Sequence, residues 1–481
     1  MTIISNDEKS RALPAIAVAA SLLIIFSLLR LYCSFGSLWF DEISSIGFAN
    51  QLNSASEALT LIRHDNNHIL NTVYLYMVGK DGGAVSYRLF SVLTGSVSLA
   101  LLYFIGRRRG AVEALVALFL GGLSFPLIVY SSEARGYAPA IMFALFSFIF
   151  ITEGRQKKTA YLFALFWVST ILGFLSHLSF IYIYLALGVW SVYPVISKKK
   201  KDGTLELIKW HAVPIALLFS LYLINTRHLV IGGGHHYSLS AVVIRAASAA
   251  VGAPDYGIWI IPGMIAAIAI FAGGLISVKK SESNETRGEW IFFLCAIIVA
   301  PALILIVRRP EVLYFRYFII CFPFFYLLMA HLLAGIFSKN KTAFTVILIL
   351  FSILNLCHIY SFLRSERGDY LSATLHMAEN TKVNEIYVAS NHDLQVRTGL
   401  AYLLPKLPEG KRMIYLTYSD WKDRPEFAPD WFIYVSPYSR YSPLTVLSFK
   451  NGVSYGISKN FGFYGPSGAT WTVYKKSRPI K

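Results

Sequence analysis

Two adjacent carboxylates stand just beyond the first long apolar run of the sequence, in the stretch Leu38-Trp39-Phe40-Asp41-Glu42. Carboxylates are costly to keep near hydrocarbon, so an acidic pair at the end of a membrane segment is a candidate for function. A carboxylate at such a place can accept a proton from an attacking hydroxyl group. The plainer alternative is a polar cap that ends a helix. We interpret the stretch as a catalytic loop because other reactive residue types accompany it along the chain.

Those accompanying motifs combine groups that bind anions with groups that transfer protons. They are Asn66-Asn67-His68, Glu133-Ala134-Arg135 and Arg316-Tyr317. A guanidinium binds phosphate through paired hydrogen bonds, which suits Arg135 and Arg316 to a phosphate group. The alternative for both arginines is a position at the membrane interface, where the charge reaches water. That alternative applies more strongly to Arg309.

The histidines are open to two interpretations. His68 could bind an acceptor or a metal ion, or it could cap or pack a helix. His177, at the end of a predicted span, has the same two alternatives. The pair His235-His236 is better explained by the polarity of its loop, because adjacent histidines rarely chelate one ion alone.

The composition is that of a membrane protein. Of 481 residues, 55% are hydrophobic and only 15% are charged, with a mean hydropathy of +0.53. A soluble chain of this length would carry nearer to about 25% charged residues. The net charge of +17 resides mostly in short loops between apolar runs, a pattern typical of membrane topology and not of nucleic-acid binding. The four cysteines show no paired spacing that would indicate a disulfide framework or a zinc site.

Apolar runs of about 18–22 residues match the thickness of a bilayer core and predict about eleven spans. They lie near residues 12–29, 86–106, 111–130, 137–152, 160–176, 178–197, 207–225, 257–278, 290–307, 317–337 and 342–362. Arg30, after the first run, is expected to extend to the interface. Residues 36–84 are expected to form a long first outer loop with helices that lie on the membrane surface.

The distribution of basic residues predicts the orientation. Alternate connections carry Arg107-Arg108-Arg109, Arg155 with Lys157-Lys158, Lys198 to Lys201, Lys279-Lys280 with Arg287, and Lys339 with Lys341. By the positive-inside rule these loops and the N-terminus are cytoplasmic. The motifs named above, and everything after about Arg364, are then extracytoplasmic.

The region from 366 to 481 differs in character from the membrane domain predicted for 1–365. Helical patterns at 370–379 and 394–404 alternate with strand patterns at 385–390, 413–418 and 431–436. Further strand-like pieces lie at 445–450, 453–458 and 470–474. The alternation predicts a small α/β domain outside the membrane.

Several motifs in this order resemble the integral-membrane GT-C glycosyltransferases, and among them the bacterial relatives of protein O-mannosyltransferases and lipid A aminoarabinose transferases. The resemblance covers roughly residues 10–365. It rests on Trp39-Phe40-Asp41-Glu42, Asn67-His68, Tyr87-Arg88-Leu89, Glu133-Ala134-Arg135-Gly136-Tyr137, and Arg316-Tyr317 with Pro323. One departure is that His68-Ile69-Leu70-Asn71 stands where the family has His-Pro-Pro, which leaves the acceptor open.

The resemblance implies an inverting transfer of a sugar from a polyprenyl-phosphate donor to a glycan, lipid or protein acceptor, outside the cytoplasmic membrane. Asp41 would be the general base, with Glu42 orienting it. The donor phosphate would be bound by Arg135, Arg316 and Arg309. The acceptor or sugar would be bound by His68, Asn67, Glu133, Tyr137, His177 and Tyr317. No cofactor is firmly indicated, and a divalent cation at Asp41, Glu42 and His68 is left open.

Two other classes of protein remain as alternatives. A lipid-sugar transporter would explain the spans and the charges within them, but repeated halves and broken helices are typical of that class, and the sequence indicates neither. A polyprenyl-linked glycan ligase or polymerase would be expected to carry its main charges in a large late loop.

Overall fold

The chain forms two compact units in a computed structural model that describes residues 6–157, 159–198, 203–232, 237–281, 283–308, 312–439 and 441–477. The first unit comprises Met1–Ser34 and Phe48–Cys357, and the second comprises Phe35–Gly47 and His358–Lys481. Arg309, predicted to bind the donor phosphate, lies outside the described residues. The same is true of His235, His236, Lys158 and residues 199–201.

The first unit is helical. Its α-helices are α1 (Asn6–Cys33), α2 (Phe40–Ala49), α3 (Glu57–Thr60), α4 (Ile69–Val78), α5 (Ala84–Arg107), α6 (Ala111–Leu123), α7 (Phe125–Tyr130), α8 (Tyr137–Lys157), α9 (Ala160–Ser176), α10 (Phe180–Lys198), α11 (Gly203–Ile224), α12 (Leu239–Val251), α13 (Ile260–Lys280), α14 (Asn284–Leu294), α15 (Ala300–Arg308), α16 (Phe322–Lys339) and α17 (Lys341–Ser365). Helices α2 and α17 contribute residues to both units. Short 3₁₀ helices cover Thr226–His228, Gly257–Trp259 and Phe315–Cys321, and a π-helical turn at Cys295–Val299 joins α14 to α15.

Within the described residues, eight helical segments are long and apolar enough to cross a membrane. They are Pro14–Cys33, Ala84–Arg107, Tyr137–Lys157, Gly203–His228, Gly257–Lys280, Thr286–Val307, Phe315–Lys339 and Lys341–Glu379. The protein is therefore an α-helical polytopic membrane protein, as the sequence predicted. The predicted count of eleven spans is not confirmed. The three remaining runs, near 111–130, 160–176 and 178–197, correspond to shorter apolar helices.

The run near 111–130 is divided because its helix breaks at Ser124. Helix α6 has 13 residues, fewer than the about 20 that a bilayer core requires. Ser124 leaves the helical conformation, with φ −55° and ψ 112°, and α7 then begins with Phe125 and Pro126. Proline is favoured in a first turn because its missing N–H would have no helical partner there. The Ser124 Oγ accepts the Leu127 N–H and also the Tyr326 hydroxyl, the latter at 2.7 Å.

Side chains from other helices satisfy the backbone groups that this break leaves open. Arg30 donates to the carbonyl oxygens of Gly121 and Gly122, at 2.9 and 3.0 Å. The Asn355 Oδ1 accepts the Phe125 N–H at 2.9 Å. Backbone polar groups at membrane depth need such partners, because hydrocarbon offers none. The expectation that Arg30 extends to the interface is wrong: its side chain is buried against α6, with 1% of the residue exposed.

The second unit contains a mixed six-stranded sheet. Its strands are β1 (Glu385–Ser390), β2 (Arg412–Tyr415), β3 (Trp431–Ser436), β4 (Val446–Ser448), β5 (Ser454–Phe461) and β6 (Thr470–Lys476), in the order β2-β1-β3-β6-β5-β4. Strands β2, β1 and β3 are parallel, and β6, β5 and β4 continue the sheet antiparallel. The helices are α18 (Tyr370–Glu379), α19 (Asp393–Leu403) and α20 (Tyr418–Trp421), with 3₁₀ turns at Leu404–Lys406 and Pro425–Phe427.

The sheet is covered on both faces, which explains its strand patterns. Successive side chains of a strand point to opposite faces. Thus Ile386 and Val388 of β1 pack with Trp471 in one core, while Ala389 of β1 packs with Trp421 in the other. The structure confirms the predicted sheet domain. The predicted boundary at 365/366 coincides with the end of α17, whereas the compact unit begins at His358 and also includes residues 35–47.

Candidate active site

Three aromatic side chains from different helices meet in the first unit. His68 immediately precedes α4, Tyr137 begins α8, and His177 follows the last residue of α9. The ring centroids of His68 and His177 are 4.6 Å apart, and those of Tyr137 and His177 are 4.2 Å apart. Tyr317 lies next to them, with its ring centroid 6.4 Å from that of His177. These residues are distant in sequence, so the fold alone brings them together.

Backbone hydrogen bonds define the tautomer of both histidines. The His68 Nδ1 accepts the Gly136 N–H at 2.8 Å, and the His177 Nδ1 accepts the Ser179 N–H at 3.0 Å. A neutral imidazole that accepts at Nδ1 carries its proton on Nε2. Neither Nε2 makes a hydrogen bond within the described part of the chain. Two Nε2–H donors therefore remain for a ligand.

Both imidazoles are held in the neutral form. Burial, followed by the charge of Arg135, lowers the pKa of His68 well below its usual value. Burial, followed by the charges of Arg135 and Arg316, lowers the pKa of His177 to about 3. The charges of both guanidinium groups thus lower the pKa of both histidines. We call His68, Arg135, His177 and Arg316 the donor cluster.

The Arg135 backbone is fixed by side chains from two other helices. Asn71 of α4 donates from Nδ2 to the Ala134 carbonyl at 2.9 Å, and Ser91 of α5 donates from Oγ to the Arg135 carbonyl at 3.0 Å. Gly136 is required next to it. A Cβ at this position would lie 1.8 Å from the Ser176 carbonyl oxygen and 2.9 Å from the His68 Cβ. Only glycine allows the segment to approach α9 and His68 this closely.

The two guanidinium groups differ in burial. Arg135 is 3% exposed, and its Cζ lies 5.7 Å from the Tyr137 ring centroid. Arg316 is half-buried in the 3₁₀ segment Phe315–Cys321, and its Cζ lies 4.4 Å from the Tyr314 ring centroid. Such stacking on an aromatic ring helps to orient a guanidinium group.

Asp65 is a carboxylate near this cluster that sequence reasoning did not single out. Its Oδ1 accepts the Gly232 N–H at 2.9 Å and lies 3.0 Å from the His64 Nδ1. Burial acts to raise the pKa of Asp65, but the His64 and Gly232 hydrogen bonds and the charge of Arg135 together lower it. Its position directly before Asn66-Asn67-His68 was the available signal in the sequence.

Two other predicted binding residues are placed in the first unit. The Asn67 Nδ2 donates to the Ala58 and Ile62 carbonyls at 2.8 and 2.9 Å, and its Oδ1 accepts the Thr72 hydroxyl at 2.8 Å. These contacts give Asn67 a structural role in the loop before α4. Glu133 is fully buried at the start of the segment that carries Arg135. The predicted roles of both in acceptor or sugar binding stay predictions.

Asp41 and Glu42 belong to the second unit and open α2. The Glu42 Oε2 accepts the Trp39 N–H at 3.1 Å, while the Trp39 carbonyl accepts the N–H groups of Glu42 and Ile43. Glu42 is fully buried and therefore caps the beginning of this helix, as a glutamate at the third helical position often does. Asp41 is half-buried one position earlier in the first turn.

The metal site left open by the sequence receives no support. Among the residues that the structure describes, no three His, Cys, Asp or Glu side chains are grouped so that they could hold a metal ion.

Comparison with known proteins gives similarity in structure but not in sequence. No family model and no curated protein matches the chain. ArnT from Cupriavidus metallidurans in the apo state superposes with a TM-score of 0.50 and 10% identity, covering 87% of this chain and 93% of that chain. The same ArnT bound to undecaprenyl phosphate gives a TM-score of 0.47 and 11% identity, over 97% and 98% of the two chains. The archaeal oligosaccharyltransferase AglB from Archaeoglobus fulgidus, in complex with an inhibitory peptide and a dolichol-phosphate, gives a TM-score of 0.46 and 10% identity. That match covers 80% of this chain and 63% of AglB.

The class of fold follows from the first of these comparisons. The apo ArnT structure, which superposes with a TM-score of 0.50, has the GT-C fold. The superposition on apo ArnT covers most of both chains, so this chain has the GT-C fold, as its motifs predicted.

Proposed function

We propose that the protein is a glycosyltransferase that uses a polyprenyl-phosphate-linked sugar as donor. The observation that carries this proposal is the donor cluster. Two guanidinium groups and two neutral imidazoles with free Nε2–H groups offer hydrogen-bond donors and positive charge in a buried place. Such a place suits a phosphate group, because its charge would be costly to bury without matched donors.

The donor cluster would act on the leaving group. As the bond between the anomeric carbon and the phosphate oxygen breaks, its electron pair stays on that oxygen and the phosphate gains negative charge. Arg135 and Arg316 would stabilise this charge, and the Nε2–H groups of His68 and His177 would add hydrogen bonds to the phosphate or to a sugar hydroxyl. Donors aimed at developing charge contribute more to turnover than to ground-state binding. Tyr137 and Tyr317 would form the walls of this site.

Asp41 would act on the nucleophile. The hydroxyl oxygen of the acceptor attacks the anomeric carbon from the face opposite the phosphate, and its proton passes to the Asp41 carboxylate. The configuration at that carbon is inverted, and polyprenyl phosphate is released. Because the leaving group is already a phosphate, a general acid is less necessary than in glycoside hydrolysis. The assignment of Asp41 rests on the acidic motif that resembles the GT-C enzymes, and Glu42 would orient the first turn of α2.

We place the reaction on the outer face of the cytoplasmic membrane, with the N-terminus in the cytoplasm and the sheet domain outside. The positive-inside distribution of Lys and Arg supports this orientation. A hexosyl or pentosyl donor, and a mannosyltransferase-like or lipopolysaccharide-directed reaction, are within the proposal. The acceptor would be an envelope glycan, a lipid or a protein.

The direct test is binding of the lipid product. Purified protein in nanodiscs is titrated with undecaprenyl phosphate and followed by native mass spectrometry. Arg135→Ala and Arg316→Ala should each weaken binding about 10–100-fold, the range for a lost hydrogen bond to a charged group. Arg108→Ala is the matched control, because Arg108 pairs with Glu153 at 2.8 Å and lies outside the donor cluster. Wild-type affinity in both cluster variants would contradict the proposal.

A lipid-sugar transporter is the second candidate, because an apolar helical run is interrupted at Ser124. In transporters such breaks line a substrate cavity. Here the open backbone groups are occupied by Arg30 and Asn355, which favours a structural role for the break. Proteoliposomes with a labelled polyprenyl-phosphate sugar separate the two functions. A glycosyltransferase moves the label to a new covalent acceptor, whereas a transporter moves the intact donor across the membrane.

A further inference from the structure

The segment that carries Asp41 is built into the core of the C-terminal sheet domain. Residues 35–47 belong to the second compact unit although they lie far from it in sequence. Trp39 is 6% exposed and packs in the same hydrophobic core as Tyr370, Met377 and Trp471. Phe40 packs against that core from its edge. A buried tryptophan is among the largest apolar contributions that one side chain makes to a core.

A polar contact fixes the same segment just before Trp39. The Ser37 N–H donates to the Glu366 Oε2 at 3.0 Å. Glu366 itself adopts φ 51°, and its carbonyl accepts the Tyr464 N–H at 3.0 Å. Gly36 has φ 94°, and a Cβ there would lie 2.4 Å from the Glu366 Oε2. Glycine is therefore required for the chain to pass this close to the carboxylate.

Backbone hydrogen bonds connect Trp39 to the first turn of α2. Its carbonyl accepts the N–H groups of Glu42 and Ile43, both at 3.0 Å, and its N–H donates to the Glu42 carboxylate. Asp41 lies inside this turn, between the anchor and the cap. The backbone of the turn that contains Asp41 is thus fixed by contacts to Trp39.

We infer that the C-terminal sheet domain positions the general base, and that Trp39 is the positioning residue through which it does so. This rests on the proposed function, in which Asp41 takes the proton of the acceptor. Trp39 itself touches no reacting atom in this assignment. Displacement of a catalytic group by about 1 Å can cost about 10²-fold in rate, so loosening the anchor should be visible in turnover.

The test compares Trp39→Ala and Trp39→Phe with Trp421→Ala. Trp421 is the matched control because it is fully buried in the second core of the same domain and belongs to a different cluster from Trp39. For each protein, kcat and donor KM are measured with a polyprenyl-phosphate sugar. Hydrogen exchange of residues 40–47 is followed by mass spectrometry. Trp39→Ala should lower kcat about 10²-fold with donor KM within about twofold of wild type.

The exchange measurement gives a readout that does not depend on activity. Exchange of residues 40–47 should accelerate in Trp39→Ala, return towards wild type in Trp39→Phe, and stay unchanged in Trp421→Ala. If Trp39→Ala does not fold, Glu366→Ala removes the Ser37 contact and should give the same pattern at smaller amplitude. Wild-type kcat or wild-type exchange in the anchor variants, or an equal loss of kcat in Trp421→Ala, would overturn the inference. A wild-type protein that transfers no sugar from any polyprenyl-phosphate donor, while exchange responds to Trp39, would instead overturn the proposed function.

Discussion

His68 and His177 lie with their ring centroids 4.6 Å apart, and each accepts a backbone N–H at Nδ1. Two imidazolium ions at this separation, next to Arg135 and Arg316, would repel each other and both guanidinium groups. The pair is therefore stable only when neutral, which agrees with the lowered pKa of each histidine. This relationship makes the stability of the site depend on pH.

Stability should decrease as the pH falls below about 6.5, the ordinary pKa of histidine. Below that value the unfolded chain binds a proton at His177 that the folded protein, with a pKa of about 3 there, does not bind. The free energy of unfolding then falls with decreasing pH, by about 2 kcal/mol at pH 5 for this one group. Thermal unfolding of the detergent-solubilised protein from pH 7.5 to 5 measures the effect. His177→Gln should reduce the change in thermal stability between pH 7.5 and 5. His392→Gln should not, because His392 is exposed. Equal slopes for wild type and His177→Gln would contradict this assignment.

Asp41→Asn should lower the rate of sugar transfer by about 10²–10⁴-fold, the range for loss of a general base. The amide preserves the size of the side chain but removes its charge and basicity. Binding of undecaprenyl phosphate should be retained, because the donor cluster is unchanged. Glu42→Gln is the comparison: it keeps an acceptor oxygen for the Trp39 N–H and should have the milder effect. Transfer at the wild-type rate by Asp41→Asn would end the assignment of the base.

Gly136→Ala should abolish most of the sugar-transfer activity, whereas Gly188→Ala should be tolerated. The added Cβ would overlap the Ser176 carbonyl and displace the segment that carries Arg135. Such overpacking costs about 1–3 kcal/mol in stability. Gly188→Ala is the control, since a Cβ there meets no atom within 4 Å. Transfer assays and unfolding curves for the two variants would show whether the close approach at Gly136 is required.

Arg30→Met should destabilise the protein by about 2 kcal/mol or more, because the Gly121 and Gly122 carbonyls at the helix break would lose their donor. Methionine retains the length of the side chain and its apolar contacts. Arg107→Met, at the exposed end of α5, removes a charge without such contacts and should have little effect. Reversible unfolding in mixed micelles gives both values, and equal stabilities would argue against a structural role for Arg30.

Reporter fusions at Lys201 and Tyr418 should report opposite sides of the membrane. This follows from the alternation of basic loops in the sequence. Alkaline phosphatase should be active at Tyr418 and inactive at Lys201, and a cytoplasmic reporter should show the reverse. A cytoplasmic signal at Tyr418 would be incompatible with a sheet domain outside the membrane.

Local patterns predicted the sheet domain well. The helix at 370–379 and the strands at 385–390 and 431–436 have the predicted bounds, because alternation of apolar residues and turn residues is encoded within each element. Hydropathy predicted a continuous span near 111–130 because it averages over the window and does not register the break at Ser124. It likewise assigned Arg30 to the interface, since the carbonyls that bind its guanidinium lie about ninety residues later.

The parts of the site that sequence reasoning missed depend on long-range contacts. The motif around Arg135 and the two histidines could each be recognised separately in the sequence. Their proximity in space depends on the packing of α4, α8 and α9. Asp65 was overlooked because its partner Gly232 is in a different loop. The inclusion of Trp39 in the sheet domain could not be read from its neighbours, since its core partners begin at Tyr370.

The position of Trp39 also affects how the protein is made. Ribosomes add roughly 5–20 residues per second, so Trp39 emerges on the order of tens of seconds before Trp471 of the last strand. Throughout that interval its indole has no completed core to enter. A nascent chain that stops short of β6 would present this tryptophan to chaperones and proteases. The core that buries the segment carrying Asp41 is thus complete only after β6 has been synthesised.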